Sequence, residues 1–171
     1  MKKCTCGKDA LDGMDYCSKC FLRVFEKRIR KELHNYEWFT KTEKVRIIDD
    51  NICKTEILKE LLIPLLQKAR IDVKIVKKKQ KNTRIVLTDN MDDYIQGFLS
   101  LVIQNKEKKK DDFVRPLRQI TDEEINQYAQ IKGLKKFKRK KDEILGFIEK
   151  ITQDNPETKY SLLSTEKQLF N

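Results

Sequence analysis

Residues 44–69 read KVRIIDDNICKTEILKELLIPLLQKA. Val45-Arg46-Ile47-Ile48 is a short apolar, β-branched run suited to a buried strand. After a polar turn, Ile57, Leu58, Leu61, Leu62, Leu65 and Leu66 recur at helical spacing. Strand, tight turn and helix are how an open α/β nucleotide-binding domain begins, with phosphates held at the helix N-terminus. The turn Asp49-Asp50-Asn51-Ile52-Cys53-Lys54-Thr55 contains no glycine, so backbone N–H groups cannot crowd around a phosphate. Two carboxylates stand where an anion would go. The expected fold class is α/β, on a nucleotide-binding scaffold that lacks its nucleotide site.

The chain's 171 residues suffice for one cored α/β domain and a small appendage. A net charge of +11, with 38% of residues charged, favours a polyanionic partner: RNA, DNA, an anionic membrane surface or an acidic protein. No signal peptide is recognised, and no apolar run approaches the roughly 20 residues of a membrane helix. A soluble, cytoplasmic protein without a membrane partner is therefore expected. Four of the five cysteines fall in the first twenty residues as close pairs, which suits a reducing compartment and a metal.

Those pairs are Cys4-Thr5-Cys6 and Cys17-Ser18-Lys19-Cys20. Four thiolates from a loop too small to fold alone match a structural zinc site, with no coordination position left for chemistry. The alternative is a disulfide pair or fortuitous thiols. A helix is expected from Ser18 to Leu33, with Phe21, Phe25, Ile29 and Leu33 on one face and Arg23, Lys27, Arg28, Arg30 and Lys31 on the rest. Such a helix can track a phosphate backbone, or simply present a solvated face. His34, the only histidine, is read as a loop or helix-end residue. The implied division is a zinc module over 1–22, a basic connecting helix over 23–43 and an α/β domain over 44–171.

Further along, Pro64 is expected to kink or split its helix after Leu62. Residues 71–76 and 83–87 read as strands. The link between them is about half the ~10–12 residues of a parallel crossover, so a hairpin is expected, or one run is not a strand. Asn90-Met91-Asp92-Asp93 opens a helix with Ile95, Phe98, Leu99, Val102 and Ile103 inward, and the acidic pair suits its dipole. Residues 106–112 read as a charged loop and 113–118 as extended. Thr121-Asp122-Glu123-Glu124 is a capping box for a helix closed by Gly133. Lys135, Lys136, Lys138, Arg139, Lys140 and Lys141 surround Phe137, forming the densest basic cluster and the leading RNA-contact candidate; a solvated helix start is the alternative. A last helix should turn Ile144, Phe147, Ile148 and Ile151 inward and end at Asn155-Pro156.

Several segments, in this order, resemble the cytoplasmic tRNA 2-thiouridine synthetases, PP-loop (ATP-pyrophosphatase-type) enzymes that thiolate the wobble uridine. The carriers are the cysteine pairs with Phe25-Glu26-Lys27-Arg28-Ile29-Arg30, and the strand and turn over residues 44–55. Asn90-Met91-Asp92-Asp93, Val114-Arg115-Pro116-Leu117-Arg118 and Asn155-Pro156-Glu157-Thr158-Lys159-Tyr160-Ser161-Leu162-Leu163 complete the set. Active members carry a Ser-Gly-Gly-Lys-Asp-Ser loop for ATP, where this chain has Asp50, Asn51, Ile52, Cys53, Lys54 and Thr55. They also use three α/β-domain cysteines, two as Cys-x-x-Cys, for an iron–sulfur cluster or persulfide chemistry. Here the segment that would hold that pair is missing between Val76 and Thr83, no third cysteine follows Leu87, and the family's C-terminal zinc module is lacking too.

The resemblance therefore implies a truncated PP-loop ATPase-like (adenine nucleotide hydrolase-like) sheet with flanking helices behind an N-terminal zinc knuckle. Its functional implication is a non-catalytic, degenerate partner subunit of a tRNA thiolation complex, paired with a catalytic tRNA 2-thiolase homologue. Expected ligands are structural Zn2+ and tRNA, with a ubiquitin-like sulfur carrier reached through the complex. Neither ATP nor an iron–sulfur cluster is expected on this chain. In this setting Asn90–Asp93 would serve helix capping or subunit contact, and the partner would cover sheet surface left bare by a lost crossover helix. Two other readings stand beside it. Cys53, beside Lys54 at a helix N-terminus, could have a lowered thiol pKa and relay sulfur. Alternatively, the chain is a free-standing zinc-ribbon RNA- or DNA-binding protein.

Overall fold

A computed structural model describes residues 2–34, 39–40, 42–107, 112–140, 142–155 and 157–170. The strand expected at residue 45 is β1 (Lys44–Ile48), and it lies in the middle of a three-stranded sheet. β2 (Asp72–Val76) runs parallel along one side, with Lys44 opposite Asp72 and Ile48 opposite Val76. β3 (Arg84–Val86) runs parallel along the other, with Val45 opposite Arg84 and Ile47 opposite Val86. Val114 continues the sheet beyond β3: its N–H donates to Ile85 O and its carbonyl accepts from Leu87 N–H.

The hairpin expected between β2 and β3 is thus replaced by a parallel pair astride β1. Geometry explains how so short a link suffices. Val76 is level with Ile48 and Arg84 with Val45, so the chain must return three residues, about 10 Å, and cross two strand spacings. That is roughly 14 Å, within the ~26 Å reach of residues 77–83. The link crosses the face bearing Arg46, whose Nε donates to Gln80 Oε1 at 3.0 Å. Lys79 Nζ sits 3.8 Å from the Phe113 ring centre on that side. Ile48, Ile85 and Leu87 are buried there against Val76 and Phe113. Much of the apolar surface on this face is therefore buried within the chain, while Lys74 of β2 stays exposed there.

Among the described residues there are six helices: α1 (Ser18–His34), α2 (Ile52–Lys68), α3 (Met91–Ile103), α4 (Asp122–Lys132), α5 (Glu143–Thr152) and α6 (Thr158–Phe170). The main core lies on the other face of the sheet. Val45 and Ile47 meet Ile57, Leu58, Leu62 and Leu66 of α2, with Ile125 and Tyr128 of α4 in the same cluster. α1 joins it because Phe21, Phe25, Ile29 and Leu33, four residues apart, form one buried stripe. Phe25 stacks on Tyr128 with ring centres 4.6 Å apart.

α2 runs unbroken through Pro64, against the expected split. Pro64 faces solvent, and Leu62 and Leu66 on either side are buried. Core packing over both halves outweighs the ~3 kcal/mol that an interior proline costs. α3, α5 and α6 form a second layer around Met91, Ile95 and Ile148. In α5 the inward residues are Leu145 and Ile148, whereas Phe147 is 52% exposed, contrary to the inward placement expected of it. The capping box Thr121/Glu124 and the left-handed Gly133 close α4 as its sequence requires. Lys141, Pro156 and residues 108–111 of the charged loop lie outside the described residues.

Candidate functional site

In open α/β sheets the ligand crevice lies beyond the carboxyl ends of the strands. Here α2 and α3 start at that end. Asn51 caps α2, its side chain accepting from Lys54 N–H at 3.2 Å. Asn90 and Asp93 form a reciprocal capping box on α3. Capping is one of the two roles expected for the Asn90–Asp93 segment.

The Lys54 side chain, only 3% exposed, turns into the crevice, ion-pairs with Asp93 and reaches Asn90 Oδ1 at 3.3 Å. Arg139 enters from the far side of the chain. Its Nε donates to Asp122 Oδ2 at 2.5 Å, Nη1 to Asp93 Oδ1 at 2.5 Å, and Nη2 to Asn90 Oδ1 at 3.0 Å. Lys159 of α6 pairs with Asp92 at 2.8 Å, and Asp92 also accepts the Asp122 backbone N–H at 2.7 Å. Three carboxylates (Asp92, Asp93 and Asp122) are met by three cations (Lys54, Arg139 and Lys159). Phe137 lies over the network, its ring centre 4.5 Å from Lys54 Nζ and its N–H donating to Asn126 Oδ1 at 2.8 Å.

Protonation follows from this packing. Burial pushes the Asp122 carboxyl up, but the Arg139 hydrogen bond and charge outweigh it, and the net shift is downward. For Arg139 and Lys159, burial works against the charged form, and the facing carboxylates prevail, so both are raised. Asp89, beside this network, is raised by burial despite its 3.2 Å contact with Arg115. Thr55 Oγ1, in the first turn of α2, is buried and has no hydrogen-bond partner among the described residues.

Cys53 is buried, and burial raises its thiol pKa; the Lys54 charge and a Phe137 backbone hydrogen bond only oppose that rise. The lowered pKa expected from sequence is thus reversed in sign. The ammonium meant to stabilise a thiolate faces Asp93 instead.

Cys4, Cys6, Cys17 and Cys20 converge, their Sγ atoms all within 4.8 Å of one another. The Cys6 Sγ lies 3.6 Å from that of Cys4 and 3.5 Å from that of Cys17. Four thiolates about 2.3 Å from a central ion are roughly 3.8 Å apart, so this set fits one tetrahedral metal ion. The backbone N–H groups of Cys6 and Cys17 hold Cys4 down to about 6, whereas the crowding thiols of Cys6, Cys4 and Cys17 push Cys20 up to about 12. A cation offsets that cost of the final ionisation. Cys17 and Cys20 frame the start of α1, which ties the centre to the main core.

Neither a family model nor a curated protein matches the sequence. Among solved structures, the U34-tRNA thiolase NcsA from Methanococcus maripaludis, with its [4Fe-4S] cluster, superposes with a TM-score of 0.72. The match covers 99% of this chain and 87% of that one at 17% identity. The fold is NcsA-like.

On this NcsA-like frame the sequence-nominated basic residues divide. Arg23, Lys27, Arg30 and Lys31 are exposed on α1, although Arg30 contacts Glu26 at 3.4 Å. Arg28 turns inward, pairing with Glu124, the Gln119 carbonyl and Tyr160. Lys135, Lys136, Lys138 and Lys140 are exposed, while Arg139 belongs to the crevice. Arg28 and Arg139 thus form ion pairs within the chain, whereas the other nominated basic residues that are described stand exposed. Sequence reasoning missed Asp122 and Lys159 as crevice residues; Asp122 was read only as part of a cap. It also missed a hollow of about 560 Å3 between Asp89, Tyr94, Phe98 and Arg115, where Arg115 and Arg118 both lie against the Tyr94 ring. The only signal for it was the Val114–Arg118 motif.

Proposed function

We propose that this chain is a non-catalytic partner subunit of a tRNA wobble-uridine 2-thiolation complex, supporting tRNA binding and a catalytic thiolase. The observation that carries this reading is the crevice: in a fold shared with a U34-tRNA thiolase, its own Lys54, Phe137 and Arg139 stand where an α/β enzyme receives its ligand. Asp92, Asp93 and Asp122, three carboxylates that could attract a divalent ion, are each answered by a cation of the chain. The glycine-free turn at residues 49–55 adds no phosphate cradle. The cysteine centre holds structural zinc in this reading, and its four thiolates leave no open position. The exposed lysines and arginines supply the tRNA surface.

The test is an affinity pull-down of the tagged protein from its own host, with proteins and RNA identified after a moderate-salt wash. Recovery of a thiolase homologue bearing a glycine-rich ATP loop is expected. RNA or ribosomes without such an enzyme would replace this reading with a free-standing nucleic-acid-binding protein, which the basic face of α1 favours. An isolated chain that hydrolyses ATP in the presence of tRNA would end the non-catalytic assignment.

A further inference from the structure

Residues 134–140 do not continue any helix. From residue 136 to residue 140 burial alternates: Phe137 and Arg139 are half-buried, and Lys136, Lys138 and Lys140 are exposed. That period of two belongs to an extended chain, in which successive side chains point to opposite sides and those on one side recur about 6.6 Å apart. The inward side is held firmly. Arg139 donates to Asp93, Asp122, Asn90 and Gln96, and the Phe137 N–H donates to Asn126. The outward side is a row of three lysines.

We propose that this strap is two-faced: Phe137 and Arg139 lock it onto the crevice, and the lock sets Lys136, Lys138 and Lys140 in line to contact successive phosphates of an RNA strand. This rests on the reading above that the chain binds RNA. It adds that the filled crevice is the mounting of the RNA contact, and that Arg139 is a positioning residue rather than a contact. Held in line, the three ammonium groups engage the backbone together. On a loose segment each must be ordered on binding, at an entropic cost.

The experiment uses the full chain, a transcribed tRNA as probe, and affinity measured across salt concentrations. Lys136→Ser/Lys138→Ser/Lys140→Ser, with the lock intact, should lower the log–log salt slope by roughly 2–3. Arg139→Gln should lower it by roughly 2 although it removes one charge, and trypsin should then cut faster after Lys138 and Lys140. Asp122→Asn loosens the lock while adding one unit of positive charge. Simple attraction makes it bind RNA more tightly; the lock makes it bind more weakly. An unchanged slope in the triple variant overturns the proposal, as does a faster-cut strap with unchanged or tighter RNA binding. If neither lock variant is cut faster, Arg139 is not the lock and the proposal falls. If Arg139→Gln does not fold, Asp122→Asn still tests the lock and the triple variant still tests the contact. A pull-down lacking a thiolase, with these salt slopes intact, would remove the complex and leave the strap standing.

Discussion

Asp122 is where crevice chemistry and stability meet. Its carboxyl is held below the ordinary range by Arg139, so its contribution is fully present above the unfolded value near pH 4 and is lost as pH falls through the lowered folded value. Asp122→Asn is expected to cost about 1.5–3 kcal/mol at pH 7, and the gap from the parent should narrow below about pH 4. Urea melts across pH check both. Lys159 has the opposite sign: its raised pKa stabilises below about pH 10 and fades above. Thr55→Val, which removes a buried hydroxyl without a partner, should stabilise the isolated chain by about 1–2 kcal/mol in thermal melts. A loss instead would mean that the hydroxyl serves a ligand. None of this was legible in residues 44–69. Lys54 is one charged residue in a charged chain, and its partner Asp93 and neighbour Arg139 are 39 and 85 positions away.

At the scale of elements, local signals were reliable where the physics is local. The apolar stripe of α1, the caps of α3 and α4 and the strand at residue 45 all follow from spacing within a few residues. The β2–β3 hairpin is not formed because β1, about 24 residues before β2, lies between the two strands, which a short link alone does not reveal. The split at Pro64 does not occur because packing on both sides of the proline outweighs its local cost. α1 shows the value of periodicity on its solvent side. Lys19, Arg23, Lys27, Arg30, Lys31 and His34 fall within an arc of about 120° opposite the core, over some 23 Å of helix. Arg23→Ser/Lys27→Ser/Lys31→Ser should reduce the salt slope of tRNA binding by roughly 2–3, with each substitution changing stability by no more than about 0.5 kcal/mol. Filter binding and calorimetry separate the two effects.

For the molecule as a whole, the cysteine centre and the sheet share one core through α1. Removing a bound metal with a chelator under reducing conditions should fray residues 2–17 and the first turn of α1 while the β1–β3 sheet persists. The expected signature is a lower melting temperature with little loss of far-UV circular dichroism, and one metal equivalent per chain in the untreated protein. Collapse of the sheet would instead make the centre essential to the fold. The α/β class and the metal-site spacing were readable in advance because each rests on composition and short-range pattern. The charge-balanced crevice was not, since it assembles from α2, α3, α4, α6 and the strap.

The parallel arrangement astride β1 also has a consequence in time. A chain emerging from the ribosome delivers the central strand first, with hydrogen-bonding edges open on both sides. The second edge closes only when Val86 appears, 38 residues after Ile48. At synthesis rates of about 5–20 residues per second, β1 waits for roughly 2–8 s. During that interval an apolar, β-branched segment is available to neighbouring chains. Lys77, Lys78 and Lys81, all exposed in the finished fold, are made just before the last pairing and guard it by charge. Replacing these three with serine should leave the melting temperature of the purified protein nearly unchanged while increasing the insoluble fraction during expression. The lysines of the short link would then matter most before the protein has finished being made.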